Sequence, residues 1–477
     1  MDTFIERKVS KWTREALKDT KNSVYWSDKP EAPDPSPKLD CIINADLVIV
    51  GAGYTGLWAA LQAIEDQPGR KIIVLEANVA GHGASSRNGG FCEPSLTHGL
   101  LNGLTHWSDE MDILIRLGDE NLDGLIETTK RHNINADIEQ TGLLKFATAE
   151  WQLEELEDKV SIFKQYVNSV KVLDKKQAQN EINSPTYVGG LIVNNNTLIL
   201  DPAKLTWGLK ETCEKLGVIF YDNSKVRSII QDEGKLIVNT KKGKVITDKV
   251  IVATNAYASP INKMKKHIIP VYDHVLMTEP LSKDQMKLIG WKHRQGASDE
   301  SNQFHYYRLT EDNRILWGGW DAIYYKNNGI GPEFEENLDS HLLLSDHFFE
   351  SFPQFEGEVK FANRWAGPIG TTTQFSVTFG KPVKFDGNLT WVGGYTGLGV
   401  GASRFGARAA LDLVDGIDNE ITNLNLIQKK STTFPPEPLR HHLINYTKRK
   451  IQYSDANDGR RGLWLSLLDS LGLGFDS

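Results

Sequence analysis

The stretch Ala45–Glu76, ADLVIVGAGYTGLWAALQAIEDQPGRKIIVLE, decides the fold. Ala45–Val50 is a short run of Val, Ile and Leu and predicts a buried parallel strand. Gly51, Gly53 and Gly56 follow in G-x-G-x-x-G spacing. Leu57–Gln67 then carries apolar residues at helical period, and Lys71–Leu75 is a second β-branched strand that ends at Glu76. Each glycine has a physical task. Gly51 permits the tight turn out of the strand, Gly53 lets backbone approach a pyrophosphate, and Gly56 lets the helix pack close to the strand. The helix start offers unpaired N–H groups and a positive dipole end to phosphates. Glu76, about twenty residues after Gly56, is placed to accept ribose hydroxyls and to repel a 2′-phosphate. The pattern predicts a dinucleotide site without choosing between NAD and FAD.

Bulk properties set limits on the rest. A chain of 477 residues predicts two domains or one large composite. Its 40% hydrophobic and 24% charged content is that of a soluble globular protein, and a net charge of −8 argues against nucleic acid as partner. Cys41, Cys92 and Cys213 are widely separated and form no C-x-x-C, so free thiols in a reducing compartment are expected. Met1–Asp19 is charged throughout, and no apolar run is long enough for a bilayer; the expected location is the cytoplasm, with no membrane segment.

Before the first strand, KWTREALKDT predicts a short helix, and Pro30, Pro33, Pro35 and Pro37 an extended arm that lies on the surface or on a partner subunit. After Glu76, Ala80–Gly99 is a polar Gly/Ser/Asn loop with Arg87, suited to laying N–H groups along a cofactor; His82, Cys92 and His98 are possible catalytic residues there. Residues 107–135 predict one long helix, Gln140–Ala147 a strand, and Glu150–Tyr166 and Asp174–Glu181 helices. Tyr187–Leu200 predicts strand with an Asn194–Asn196 turn, and Pro202–Leu216 a helix capped by Asp201. A meander, Lys225–Gln231, Lys235–Thr240 and Lys244–Thr247, leads into Lys249–Thr254, which returns to the parallel sheet. There Ala253 and Thr254 are small enough for close approach to a cofactor.

Residues 258–360 alternate and are rich in aromatics, predicting an antiparallel sheet with a helix at Glu335–Phe352, the wall of a substrate cavity. Asn363–Thr373, NRWAGPIGTTT, predicts a second glycine and threonine loop. In NLTWVGGYTGLGVGASRFGARAALDLV, from Asn388, a strand at Leu389–Val392 precedes five glycines and a helix from about Ala402 to Val414. This second strand–glycine–helix unit points another dipole end at something electron-rich. The tail ends in LWLSLLDSLGLGF, an amphipathic segment that docks on the body or on a subunit.

With both glycine units, the GASSRNGGF loop and the VIVATNAY strand in view, the chain resembles the D-amino-acid-oxidase-like FAD family, which includes glycine and sarcosine oxidases and γ-glutamylputrescine oxidase. The likeness spans roughly residues 45–415. It leans to the γ-glutamylputrescine oxidase branch through Tyr25-Trp26, Arg87-Asn88-Gly89-Gly90, Tyr306-Tyr307-Arg308 and Gly394-Tyr395-Thr396-Gly397. The fold it implies is α/β, a Rossmann-like FAD-binding domain with an antiparallel-sheet substrate domain. The segments would be an arm (1–44), a first FAD-binding part (45–100), mixed segments with the meander (101–255), the substrate domain (256–360), a closing FAD-binding part (361–416) and a C-terminal extension (417–477).

The resemblance also implies roles. Gly51, Gly53, Tyr54, Thr55 and Gly56 would hold the FAD pyrophosphate, and Glu76 and Ala77 the adenosine ribose. Ala84, Ser85, Ser86, Arg87, Asn88, Gly89 and Gly90 would line pyrophosphate and flavin, and Val226 the adenine side. Ala253, Thr254, Asn255 and Trp365 count as further cofactor-binding positions. Thr396, Gly397, Leu398, Gly399, Val400 and Gly401 would face the flavin pyrimidine edge, where N–H groups stabilise the charge of the reduced ring, with Gly394 a further cofactor-binding position. Arg87, His274, Tyr307 and Trp320 are the candidate catalytic residues. The implied reaction is hydride transfer from an amine or amino-acid carbon to flavin N5, giving an imine that hydrolyses, with dioxygen or another acceptor reoxidising the flavin.

Departures narrow this. Sarcosine-oxidase-type members attach FAD through a Cys in the region matching Trp365–Thr373, and dimethylglycine-type members use a His where Arg87 stands; noncovalent FAD is therefore expected. Where sarcosine-oxidase-type members clamp a carboxylate with Lys, this chain has Gly401, which tilts the substrate toward an amine, unless Arg308 or Arg364 binds a carboxylate instead. A homo-oligomer is possible on this reading. The rival readings are a flavin dehydrogenase, an NAD-linked two-domain dehydrogenase and a non-catalytic flavin-binding protein.

Overall fold

Leu47, Val48, Ile49 and Val50 are all buried because their strand, Ile42–Val50, lies inside a parallel sheet covered on both faces. In this computed structural model, which describes residues 4, 10–166, 169–193, 197–257 and 259–474, the sheet runs Ile219–Tyr221, Ile72–Leu75, Ile42–Val50 and Lys244–Val252. The last strand forks. Its first half pairs antiparallel with Lys235–Asn239 of the meander, and its second half pairs parallel with Leu389–Gly393. Lys244–Thr247 and Lys249–Thr254, read as separate segments, thus fall in one strand that ends at Val252. The fork puts the two distant glycine units at the ends of strands that flank the same third strand, Lys244–Val252.

The helix after the first glycine turn, Tyr54–Asp66, packs between Pro202–Lys215 and Gly399–Asp415. Asp201 caps Pro202–Lys215, accepting from Ala203 N at 2.9 Å and Lys204 N at 3.0 Å. Asp415, at the end of the second glycine helix, takes a bidentate pair from Arg70 at 2.9 and 2.8 Å and a third bond from Lys249 at 2.7 Å. These ties fix both glycine helices to the sheet.

A second, nine-stranded sheet stands beside the first, in the order Lys21–Asn22, Phe361–Thr371, Ile269–Thr278, Ile315–Gly319, His305–Leu309, Gly296–Asp299, Leu143–Ala147, Gly189–Val193 and Val170–Asp174. It is antiparallel except at two pairings, Lys21–Asn22 with Phe361–Thr371 and Gly296–Asp299 with Leu143–Ala147. One face is closed by Leu338–Ser351, which buries Leu344, Phe348 and Phe349. The other faces the parallel sheet.

Three local readings need correction. Asn363–Thr373 is not a loop: Phe361–Thr371 pairs along its length with Ile269–Thr278. Pro368 is tolerated because only residues 363 and 364 have a partner strand on the other side, so the missing N–H falls on a free edge. The helix read at 107–135 is Met111–Arg131, shorter at both ends, and a tight turn at Ser108–Glu110 divides it from a preceding helix, Leu100–Trp107. Glu110 there accepts from Asn425 N at 2.7 Å. Gln140–Ala147 divides between two sheets, Glu139–Gln140 pairing with Leu198–Ile199 and Leu143–Ala147 joining the nine-stranded sheet. The Asn194–Asn196 turn lies outside the described residues. Among those described, no helix is long and apolar enough to cross a membrane.

Candidate active site

The first glycine turn is built so that side chains cannot enter it. Gly51 has φ 105°, and a Cβ added there would lie 2.7 Å from the Ala253 carbonyl oxygen. One at Gly56 would lie 1.9 Å from the Gly51 oxygen, so helix and strand touch backbone to backbone. Gly53 caps the helix without a side-chain bond. Ser85, from the loop that follows Glu76, accepts from Tyr54 N at 2.9 Å. Glu76 accepts from Ala52 N at 2.8 Å and Asn78 N at 2.9 Å. Burial lifts its pKa and these N–H donors pull against it. A carboxylate has about four lone-pair sites, so acceptor capacity remains.

The second unit reaches the same place. The helix Gly399–Asp415 also starts without a side-chain cap. Tyr395, just before it, exchanges a hydrogen bond of 2.8 Å with Thr55 Oγ1 in the first turn of the other glycine helix. Asn255 Oδ1 accepts from Gly394 N at 2.8 Å, and Thr396 N donates to Gly370 O at 3.0 Å. Thr396 and Trp320 hold φ of 48° and 62°, a left-handed conformation unfavourable for a β-branched or bulky side chain. Strain of this kind gathers at ligand sites.

Both helix starts open on one cavity of about 1480 Å³. Gly51, Gly53, Tyr54, Thr55, Glu76 and Val226 line one part of it, and Thr396, Gly397, Leu398, Gly399 and Val400 another. Beyond them the wall comes from Asp273, Tyr306 and Lys145 of the nine-stranded sheet and from Trp320 and Glu300, which directly follow two of its strands. Tyr306 Oη donates to Asp273 Oδ2. Burial pushes the Asp273 pKa up to about 6, and burial with the Asp273 charge raises Tyr306 well above its ordinary value. Burial, then the Lys145 charge, holds His98 down at about 4, so its imidazole is neutral near pH 7. Tyr257 Oη is buried, belongs to a cavity-lining residue and has no hydrogen-bond partner among the described residues.

Residues 46–413 match the model of the DAO family, FAD dependent oxidoreductase. The chain belongs to this family. Curated relatives agree: it is 31% identical over 400 residues to the γ-glutamylputrescine oxidoreductase of Escherichia coli, covering 83% of this chain and 89% of the relative. It is 29% identical over 398 residues to a probable oxidoreductase, OrdL, of Haemophilus influenzae, covering 81% and 86%. Solved structures share the fold. The glycine oxidase of Geobacillus kaustophilus superposes with a TM-score of 0.63 at 17% identity, over 79% of this chain and 96% of its own. The L-proline dehydrogenase of P. horikoshii gives 0.64 at 17%, over 82% and 96%. FAD is therefore the cofactor. The residues present fit it: two uncapped helix starts, glycines whose Cβ atoms would meet neighbouring atoms, a carboxylate at the strand end and a buried phenol lacking a partner, around a space larger than a usual small-ligand pocket.

Against that family frame, most residues expected at the cofactor line the cavity, including Ala77, Ala84, Ser85, Arg87, Asn88, Gly89, Ala253, Thr254 and Asn255. Several do not. Gly56, Ser86, Gly90 and Gly394 lie behind the lining as packing positions; a Cβ at Gly90 would meet the Leu200 carbonyl oxygen at 2.1 Å. Trp365 is buried with its indole N–H donating to Arg87 O at 2.8 Å, so it supports the loop and does not reach the cavity. His274 and Tyr307 are excluded from the catalytic candidates by strand parity. Asp273 and Val275 face the cavity, which turns His274 onto Leu338–Ser351, its ring 5.3 Å from that of His341. Tyr306 faces the cavity, which turns Tyr307 into the core, 2.7 Å from Tyr187 Oη.

Arg87 lines the cavity but its guanidinium is held on three sides, by Glu335 at 2.6 Å, Ala366 O at 2.9 Å and His82 O at 3.0 Å. Arg308 is buried, donating to Leu200 O at 2.7 Å, and Arg364 leans 3.5 Å from Glu336; neither lines the cavity as a carboxylate clamp. The sequence reading missed the roof. Two helices beyond the family match, Leu439–Asp455 and Leu463–Ser470, close the cavity with Leu443, Ile444, Ile451, Trp464 and Leu468. They are anchored by Lys448 on Asp321, and by Asp455 accepting from Asn302 N at 2.9 Å. The amphipathic tail was visible as a signal; its target was not.

Proposed function

We propose that this chain oxidises the C–N bond of an amine, with dioxygen as final acceptor. Bound FAD supplies a two-electron acceptor at N5, and the amine leaves as an imine that water hydrolyses to a carbonyl compound and ammonia or a smaller amine, dioxygen becoming hydrogen peroxide. In this reading Gly51, Gly53 and the start of Tyr54–Asp66 hold the pyrophosphate, and Glu76 accepts the ribose hydroxyls. Val226 borders the adenine. The N–H groups at Gly397–Val400 would face the part of the flavin that gains negative charge on reduction, a place where preorganised donors count heavily.

The amine must be neutral to react. Asp273, with a pKa of about 6 and Tyr306 donating to it, is the cavity carboxylate suited to take the ammonium proton near neutral pH. Trp320 and Tyr306 supply the apolar wall that favours the neutral amine. An amine is favoured over an α-amino acid by the state of the cations. Of the cavity-wall cations, Lys145, Lys448 and Arg461 are held by Glu300, Asp321 and Asp469, respectively, Arg440 donates to Asn328 Oδ1 at 2.7 Å and Pro435 O at 2.8 Å, and Lys225 adjoins Val226 on the cofactor side. Position 401 has no room for a clamp, since a Cβ there would lie 2.4 Å from the Glu93 carbonyl oxygen.

The observation that carries the reading is the meeting of two glycine-lined helix starts on one cavity whose far wall pairs an acid with aromatics. Purification tests it. A yellow protein that amines bleach anaerobically, and that makes peroxide in air, is expected. A sample that takes up no FAD, or whose FAD no amine reduces, refutes it; bleaching without peroxide moves the acceptor away from dioxygen.

A further inference from the structure

Glu93 is a cavity carboxylate that neither the cofactor reading nor the proposed proton transfer uses. Glu93 follows the short strand Phe91–Cys92, and its backbone abuts Gly401 in the first turn of the second glycine helix. Its side chain lines the cavity and makes no hydrogen bond or ion pair among the described residues. The cation whose charge acts on it is Lys145, which is committed to Glu300 at 3.0 Å. Two carboxylates therefore share one ammonium, and the surplus negative charge falls on Glu93. Burial raises the Glu93 pKa, the mark of a carboxyl whose charge lacks full compensation inside the protein.

We infer that Glu93, with the Lys145–Glu300 pair behind it, is a subsite for a second, protonated nitrogen of the substrate, so that the chain acts on diamines or longer polyamines. The inference rests on the amine-oxidation reading above and adds the substrate class. The reacting nitrogen has to be neutral, so it cannot be the lasting partner of a carboxylate; a monoamine leaves Glu93 unpaired. A diamine supplies the missing cation to a walled-in acceptor that is costly to leave alone. The roof suits the spacer between the nitrogens, because Leu443, Ile444, Ile451 and Leu468 offer methylene-packing surface.

The test compares hexylamine with hexamethylenediamine, and butylamine with tetramethylenediamine, on the FAD-loaded enzyme and on Glu93→Gln and Glu93→Asp. A charge-assisted hydrogen bond of about 1.5–3 kcal/mol corresponds to roughly ten- to hundredfold. The wild type is expected to favour the diamine of each pair by at least about tenfold in kcat/KM, and calorimetry to show the same order in Kd. Glu93→Gln should collapse that ratio toward one, and Glu93→Asp should restore part of it. Flavin absorbance and melting temperature show whether the variants are folded and loaded. No diamine preference in the wild type, or a preference that Glu93→Gln leaves intact, overturns the inference while the amine-oxidase reading stands. Equal losses for both members of each pair also overturn it, placing Glu93 at the reacting nitrogen. If no amine reduces the flavin, the broader reading fails and takes this one with it.

Discussion

Replacing Asp273 by Asn should make the protein more stable at alkaline pH and leave it nearly unchanged in acid. Asp273 carries a folded-state pKa of about 6 against an ordinary value of 3.8, with burial as the largest cause. The folded state therefore prefers the protonated carboxyl. Below the ordinary value both states hold the proton and nothing is lost. As pH rises from about 4 to 6 the unfolded chain ionises more readily than the folded one, stability falls, and the full penalty stands above pH 6. A gap of about two pH units at 1.36 kcal/mol each gives about 3 kcal/mol. Asn keeps an oxygen for the Tyr306 hydroxyl, so the bond survives while the charge goes. Urea unfolding of the FAD-free protein at pH 4.5 and pH 8 measures this. The variant's advantage should grow by about 2–3 kcal/mol between the two. An advantage that is flat with pH, or a variant less stable at pH 8, would refute the assignment of the penalty to Asp273. In turnover the same variant should lose the acidic limb of the kcat/KM profile near pH 6, since no side chain remains there to take the ammonium proton.

The other predictions use the same geometry. Gly56→Ala drives a Cβ to within 1.9 Å of backbone and should cost about 3 kcal/mol with loss of FAD. Gly53→Ala meets only the Ser85 hydroxyl, at 2.9 Å, and should fold with weaker FAD binding; fluorescence titration with FAD and denaturant melts separate the two. Tyr307→Phe should leave kcat/KM unaltered and lower stability by about 1–3 kcal/mol, because it strips Tyr187 Oη of its partner in the core. Trp464→Ala removes the indole N–H that donates to Thr447 Oγ1 at 3.0 Å and joins the two roof helices; it should raise KM for long amines several-fold while the FAD-to-protein ratio holds.

The dinucleotide half was legible because its constraints are local. A turn that admits no Cβ, a helix that must touch its strand and an acid at a strand end all fall within residues 45–76, so spacing alone reveals them. The second glycine unit was legible for the same reason. That both serve one cavity was not written in either stretch. It follows from the forked strand Lys244–Val252, whose partners lie on both sides of it in sequence. Asn363–Thr373 shows how a local rule misleads: Gly367, Pro368 and Gly370 read as breakers, yet their free edge is what accepts Arg87 at Ala366 O and Thr396 N at Gly370 O.

Catalytic residues were the hardest to read, and the reason is parity. Along an antiparallel strand successive side chains face opposite ways, so a register displaced by one residue exchanges the whole set that faces the substrate. The sequence reading named Tyr307 in His305–Leu309 and His274 in Ile269–Thr278, each one position away from a residue that faces the cavity, Tyr306 and Asp273; between two adjacent tyrosines nothing local decides, and at 273–274 the imidazole drew attention from the carboxylate. Pairing is what decides. Tyr306 stands opposite Gly318, which leaves room for the phenol, and Asp273 opposite Gly367, where the space is taken by Arg87, while Tyr307 stands opposite Trp317 and joins the core. A glycine across the strand from a polar aromatic is therefore a better pointer to the cavity face than the chemistry of the side chain itself. Gly318 tests it directly: a Cβ there would lie 2.6 Å from Tyr306 Oη, so Gly318→Ala must push the phenol off Asp273. That variant should shift the acidic limb of the pH profile with little loss of FAD, and an unmoved limb would deny the pair its role.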